Sequence, residues 1–186
     1  MKTKSILIFL FLFSFINSYA QKQAVAVDTI FIQTLVDSCK TLKDNGDYRN
    51  ALTIGQNGLN LIETAFSRAD GQAQKFLKTA QATTLRNMGN AYKELSDLPN
   101  ALEYYKRCLK IAEVIGDKMN IGGAVLNTGV VYLELDSNIK AMEYLQRGLK
   151  VFSDIGNKRG LAICYESLGR IYSNLSNDSL ALEYYE

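Results

Sequence analysis

From Leu98 to Gly116 the apolar positions are Ala101, Leu102, Tyr105, Cys108, Leu109 and Ala112, separated by steps of three and four residues. That spacing marks one face of a helix with 3.6 residues per turn. A second helix is predicted just upstream, and the pair recurs along the chain. Leu85-Arg86-Asn87-Met88-Gly89-Asn90-Ala91-Tyr92 aligns with Val125-Leu126-Asn127-Thr128-Gly129-Val130-Val131-Tyr132 and with Tyr165-Glu166-Ser167-Leu168-Gly169-Arg170-Ile171-Tyr172. Gly89, Gly129 and Gly169 keep step with Tyr92, Tyr132 and Tyr172, and then with Ala101, Ala141 and Ala181, always 40 residues apart. Three anchors at one spacing define an internal repeat.

Each repeat reads as helix, tight turn, helix. The turns are Ser96-Asp97, Asp136-Ser137 and Ser176-Asn177, residue types that cap a helix N-terminus by accepting backbone N–H bonds. Pro99 falls just inside the second helix, where its missing donor is harmless. Gly116 and Gly156 follow the last apolar residue of their helices, the left-handed C-terminal position. Gly89, Gly129 and Gly169 are mid-helix, which costs about 1 kcal/mol against Ala, so a close approach between the paired helix backbones is expected there. Hairpins of this size cannot bury their apolar faces alone and must stack.

A degenerate copy lies upstream. Asn45-Gly46-Asp47-Tyr48 followed by Ala51-Leu52 matches Ser96-Asp97-Leu98 followed by Ala101-Leu102. Ala51 to Ala101 is 50 residues rather than 40, which puts a ten-residue insertion within Glu63–Lys78. Cys39 stands where later copies have Gly; both are small. The expected organisation is a degenerate hairpin at 29–71, full units at 72–117 and 118–157, and a unit at 158–186. The second helix of that last unit has nine residues where its counterparts have about eighteen. The expectation drawn from this is that the polypeptide is a fragment of a longer one, with an open C-terminal end.

The first twenty residues differ. Lys2 and Lys4 precede the run Ile6–Ile16, apolar apart from Ser14, and then Asn17-Ser18-Tyr19-Ala20. As a helix that run reaches about 16 Å, too short for a hydrocarbon core of about 30 Å. The three-part layout predicts a cleaved secretory signal over 1–20. The mature chain is then expected to begin at Gln21, to be flexible over 21–28, to insert no segment in a membrane and to be periplasmic or extracellular.

Charge and composition narrow the chemistry. Twenty-one basic residues face 19 acidic ones, and removing Lys2 and Lys4 leaves 19 against 19. That balance argues against a nucleic-acid partner or an anionic membrane surface. There is no His, hence no residue of the commonest general-base and metal-ligand type. Gly55-Gln56-Asn57-Gly58 and Gly122-Gly123 lack the rest of a phosphate loop. Cys39, Cys108 and Cys164 are widely spaced and read as small packing residues. Glu103, Glu143 and Glu183 recur at the repeat spacing and read as a solvated face. No cofactor and no metal site is indicated, and a non-catalytic role is expected.

The stretch Leu85–Tyr92 with Ala101, Tyr105 and Cys108 resembles the tetratricopeptide repeat (TPR): a bulky residue, a Gly, a Tyr, then Ala, an aromatic and a small residue in that family's order. The resemblance runs from near Thr41 to the end. The usual unit is shorter than 40 residues, and Gly116 and Gly156 replace the family's closing Pro. The long unit, with its Ile-Gly-Asp-Lys junction behind a secretory signal, is similar to the extracytoplasmic TPR region of Bacteroidetes sensor proteins of the histidine kinase or transcriptional regulator type. The resemblance implies an all-α, right-handed solenoid of antiparallel helix hairpins whose concave face binds a protein or peptide partner. In the family register Arg86, Asn90 and Lys93 point there from one unit, Leu126, Val130 and Leu133 from the next, and Glu166, Arg170 and Ser173 from the last. Arg86 and Arg170 would be available to carboxylates. Arg86 and Asn90 also echo a family clamp for C-terminal carboxylates. The apolar stripe Leu126, Val130 and Leu133 has two readings, an anchor for an apolar peptide segment or burial between neighbouring units. Self-association through the open C-terminal end is the remaining partner expectation.

Overall fold

The computed structural model describes Ala26 and residues 28–185. The leader expected at 1–20 and nearly all of the segment expected to be flexible at 21–28 lie outside the described residues. Everything described is helix or tight turn: α1 (28–44), α2 (Tyr48–Phe66), α3 (Gly71–Glu94), α4 (Leu98–Ile115), α5 (Lys118–Glu134), α6 (Asn138–Asp154), α7 (Lys158–Asn174) and α8 (Asp178–Tyr185). From α2 onward each helix packs on the next. The backbones of the odd-numbered helices α3, α5 and α7 also come close to one another in series, whereas those of α2, α4, α6 and α8 stay further apart and meet only through side chains. The chain is a solenoid in which the odd helices form the inner wall and the even helices splay along the outer one.

Local chemistry sets the boundaries. Asp47, Asp97 and Asp117 each accept from the backbone N–H of the Asn three residues on, and each also accepts from that Asn's side-chain amide at 2.8 Å. Asp70, Asn157 and Asn177 cap α3, α7 and α8 in the same backbone fashion. Ser137 departs from expectation. It starts α6 without a side-chain cap bond, leaving that helix start to its backbone alone. Gly116 (φ 68°) and Gly156 (φ 64°) are left-handed as expected, and so, at the hairpin turns, are Ser96, Asp136 and Ser176 (φ 53–60°).

The core is a chain of clusters from unit to unit. Ile32 and Val36 of α1 meet Ile62 and Ala65 of α2 and Leu77 and Ala80 of α3. Leu59, Leu85, Met88, Cys108 and Ala124 join α2 to α5. Leu145, Phe152, Cys164, Leu168 and Ile171 join α6 to α7. All three cysteines are buried and free. The mid-helix glycines need correcting in detail. A Cβ on Gly89 would lie 2.6 Å from the Tyr105 ring, and one on Gly169 would lie 2.6 Å from the Tyr185 ring. It is mainly a side chain of the partner helix, not its backbone, that fills these positions. At Gly129 a backbone atom, the Ala141 carbonyl oxygen at 3.3 Å, is among the three nearest neighbours, and there Leu145 is closer still at 3.0 Å. The Tyr92, Tyr132 and Tyr172 rings are half-buried and pair with Tyr104, Tyr144 and Tyr184 at 5.1–5.6 Å between centroids.

The insertion lengthens α3 to 24 residues, against 17 for α5 and α7. The added N-terminal turns carry Phe76 and Leu77 against α1 and α2, and they give the first seam of the stack a shape the later seams lack.

Candidate functional site

The inner wall is hollowed between α1 and α3. A cavity of about 440 Å³ opens there, with Asp37, Lys40 and Lys43 from α1 facing Thr83, Arg86, Asn87 and Asn90 from α3. Two features make its polar groups more than a solvated surface.

The first is a fixed guanidinium. Arg86 lies across α5 at Gly123, where a Cβ would come within 2.8 Å of its Cδ. Its Nε donates to Asn120 Oδ1 at 2.9 Å. Asn120 is itself held, donating from Nδ2 to Thr83 Oγ1 at 3.0 Å and to the capping Asp117 at 2.8 Å. Among the described residues the two terminal nitrogens of Arg86 have no acceptor. A guanidinium with one edge locked and the other free is suited to a planar acceptor such as a carboxylate.

The second is an unpaired amide. Asn87 is 4% exposed, and its Nδ2 has no hydrogen-bond partner among the described residues. Buried donors are almost always satisfied by protein or by an ordered water, and this one borders a cavity with room for a water or a ligand oxygen. Asn90 next to it uses its Oδ1 twice, accepting from Tyr105 Oη at 2.8 Å and from Asn127 Nδ2 at 2.7 Å. This ties the cavity to the α4 and α5 packing. Lys40, Arg86 and Asn87 supply donors to the cavity, while Lys43 is paired with Asp44 and Asp37, the opposing charge, is engaged with Gln33.

The residues named from the sequence are placed as follows. Arg86 and Asn90 line this cavity. Lys93, one turn on, pairs with Glu94 at 2.7 Å and reaches Glu134 of α5 at 3.9 Å. Leu126 and Leu133 are 5% and 3% exposed and belong, with the half-buried Val130, to the cluster against α6 and α7. Of that stripe only Val130 retains surface to offer. Glu166, Arg170 and Ser173 are exposed on α7, two helices away from the α1–α3 cavity. Asn87, Asn120, Gly123 and the α1 lysines were not singled out from the sequence. Asn87 does carry a signal, since the equivalent position is Asn127 and then Ser167, polar in every copy.

Among the described residues no group of three or more His, Cys, Asp or Glu could hold a metal ion, and no helix is long and apolar enough to cross a membrane. Burial raises the Cys39 thiol to about 11 and those of Cys108 and Cys164 to about 12.

Residues 80–154 match the family described as Tetratricopeptide repeat. The fold is similar to that of the apo form of RapI, with a TM-score of 0.70 and 15% identity over 84% of this chain and 41% of that one. It is equally similar to BtubC (BKLC) from P. vanneervenii, with a TM-score of 0.70 and 18% identity over 90% of this chain and 67% of that one. It also resembles MamA, with a TM-score of 0.53 and 18% identity over 90% and 82% of the two chains. At these identities the likeness is one of fold, and this chain spans less than half the length of RapI. No curated protein matches the chain in sequence. The 40-residue helix-hairpin period, the match of residues 80–154 to the repeat family and the shared architecture together give this chain a TPR-like solenoid fold.

Proposed function

We propose that the chain is a non-catalytic scaffold that holds a peptide or an extended segment of a partner protein on its inner wall, with the α1–α3 cavity as the anchoring point. The observation that carries this reading is the unpaired, buried Nδ2 of Asn87 beside a guanidinium locked at Nε and open at its other edge. Both ask for an oxygen acceptor, which a peptide carbonyl or carboxylate supplies. Arg170, exposed on α7, is the second cation available along the same wall. The N-terminal pattern of Lys2, Lys4, an apolar run and a small-residue site supports an exported protein, acting in the periplasm or outside the cell. A sensor segment of a membrane histidine kinase or transcriptional regulator would use the same wall.

Panning a display library of random linear peptides against the chain tests the reading. Peptides enriched on the wild-type chain are expected to bind Arg86→Glu about tenfold or more weaker, because reversal places a carboxylate where the ligand's acceptor sits. Unchanged affinity would overturn the assignment.

One observation favours a second reading, self-association through α8. Tyr185 is 52% exposed there and Leu182 60%, whereas the equivalent Tyr105 is fully buried. Light scattering across protein concentration reads this directly, and a constant monomer mass excludes it.

A further inference from the structure

The outer wall carries a feature that the inner-wall reading leaves unused. Two ion pairs hold α6 against the helices before it on the outer wall. Arg147 of α6 reaches across to Glu113 of α4, and Lys118, at the start of α5, meets Asp154 at the end of α6 at 2.9 Å. The hydrogen bond from Lys118 holds the Asp154 carboxyl below its usual range. The preceding seam, between α2 and α4, repeats this arrangement with the acids missing or out of reach. Shifting by one repeat, Arg147 becomes Arg107 and Lys118 becomes Lys78, but Asp154 becomes Val114. Glu113 becomes Glu63 through the 50-residue step, and Glu63 does not come within ion-pair distance of Arg107.

The cations of this seam therefore line an open groove, in which, among the described residues, the single carboxylate, Glu63, pairs with none of them. Two adjoining hollows of about 420 and 570 Å³ share Lys78, Gln81 and Arg107, and Lys110 adds a third positive charge. Lys78 and Arg107 rest over the Phe66 and Tyr104 rings at 5.8 and 5.0 Å. Buried Leu85 lies in the floor, and Val114 stands 70% exposed on the rim. The lengthened α3 and the end of α2 form the far wall, so the groove is specific to the first seam.

We infer that the α2–α4 seam is a second docking surface, one that takes an acidic, amphipathic peptide segment of a partner protein. Charge complementarity selects the occupant. Three cations face one unpaired carboxylate, Glu63, and the Asp154 position is Val114 here, so a Glu or Asp of the partner completes the pairing while its apolar residues cover Phe66 and Val114. A recessed, helix-walled groove suits a peptide better than a flat bilayer or a nucleic-acid duplex.

The test uses a short fluorescein-labelled peptide of Glu and Leu in helical amphipathic order, with its Lys-for-Glu counterpart as control, read by fluorescence anisotropy. The acidic peptide is expected to bind and to weaken as salt screens the charges. Lys78→Glu with Arg107→Glu should lower its affinity about tenfold or more. Val114→Asp, which restores the internal partner of Lys78 at an exposed position, should weaken binding comparably while leaving the melting temperature unchanged or raised. Arg86→Glu, on the opposite wall, should leave this affinity alone. Absence of binding, equal binding of the basic peptide, or undiminished binding to Val114→Asp would overturn the inference. So would tighter binding to anionic phosphatidylserine vesicles or to single-stranded DNA than to the acidic peptide.

Discussion

Asn87 places a polar amide where solvent hardly reaches, and leaving such a donor unpaired costs about 1–3 kcal/mol. Replacing it with a side chain of similar size and no polar atoms removes that cost. Asn87→Leu is accordingly expected to keep or raise the melting temperature while weakening peptide binding on the inner wall, with thermal melts and a binding isotherm on the same preparation as the check. Lower stability with unchanged binding would contradict the role given to the amide. At this scale the sequence showed Arg86 and Asn90 through the repeat register, and it marked Gly89, Gly129 and Gly169 through their period. It could not show what fills the space above those glycines. The expected backbone approach proved at Gly89 and Gly169 to be the ring of Tyr105 or Tyr185. Nor could it show that Asn87 lacks a partner, because that depends on residues from several helices converging in space. Leu126 and Leu133 illustrate the same limit. Their i, i+7 stripe is identical on paper whether it meets a ligand or the next hairpin, and here it packs with α6 and α7.

At the scale of elements, the hairpin turns concentrate backbone strain. Ser96, Asp136 and Ser176 hold φ values of 53–60°, while the first hairpin uses Gly46 at φ 82° in the same place. A left-handed conformation costs a non-glycine residue about 1–2 kcal/mol, and the extra freedom of Gly in the unfolded chain returns part of that. Ser96→Gly should therefore stabilise by about 0.5–1 kcal/mol, measured by urea denaturation; a loss of stability would show that the serine side chain contributes a compensating interaction. Helix boundaries were largely legible, because Asp and Asn caps, Pro99 and the left-handed Gly116 and Gly156 each have a local cause. The destination of the inserted residues was not. Periodicity confined them to Glu63–Lys78, but only the packing of Phe76 and Leu77 against α1 and α2 assigns the extra turns to α3.

Across the whole molecule, burial of the thiols couples stability to pH. An ordinary Cys loses its proton near 9.0, whereas Cys39 holds it to about 11 and Cys108 and Cys164 to about 12. Above pH 9 the unfolded chain binds fewer protons than the folded one, so stability is fully present below that pH and falls as pH rises toward 12. Tyr105, raised chiefly by burial, acts in the same direction. Urea midpoints taken from pH 8 to 11 should decline above 9, and a flat profile would contradict the buried, free state of the thiols. The stacked-hairpin architecture was readable from the 40-residue period. The division into an inner wall with a donor-rich cavity and an outer wall with one open cationic seam was not, because it arises from which helices touch in series and which diverge.

The most direct measurement of the inner-wall account is the side-chain amide of Asn87, followed by ¹⁵N-resolved NMR as a peptide selected on the wild-type chain is titrated in. The account expects the Asn87 NH₂ cross-peaks to move in proportion to saturation, together with the Arg86 side-chain signals, as an acceptor enters the cavity. Shifts confined to α2, α4 or α8 at full saturation, with the Asn87 amide unmoved, would contradict it.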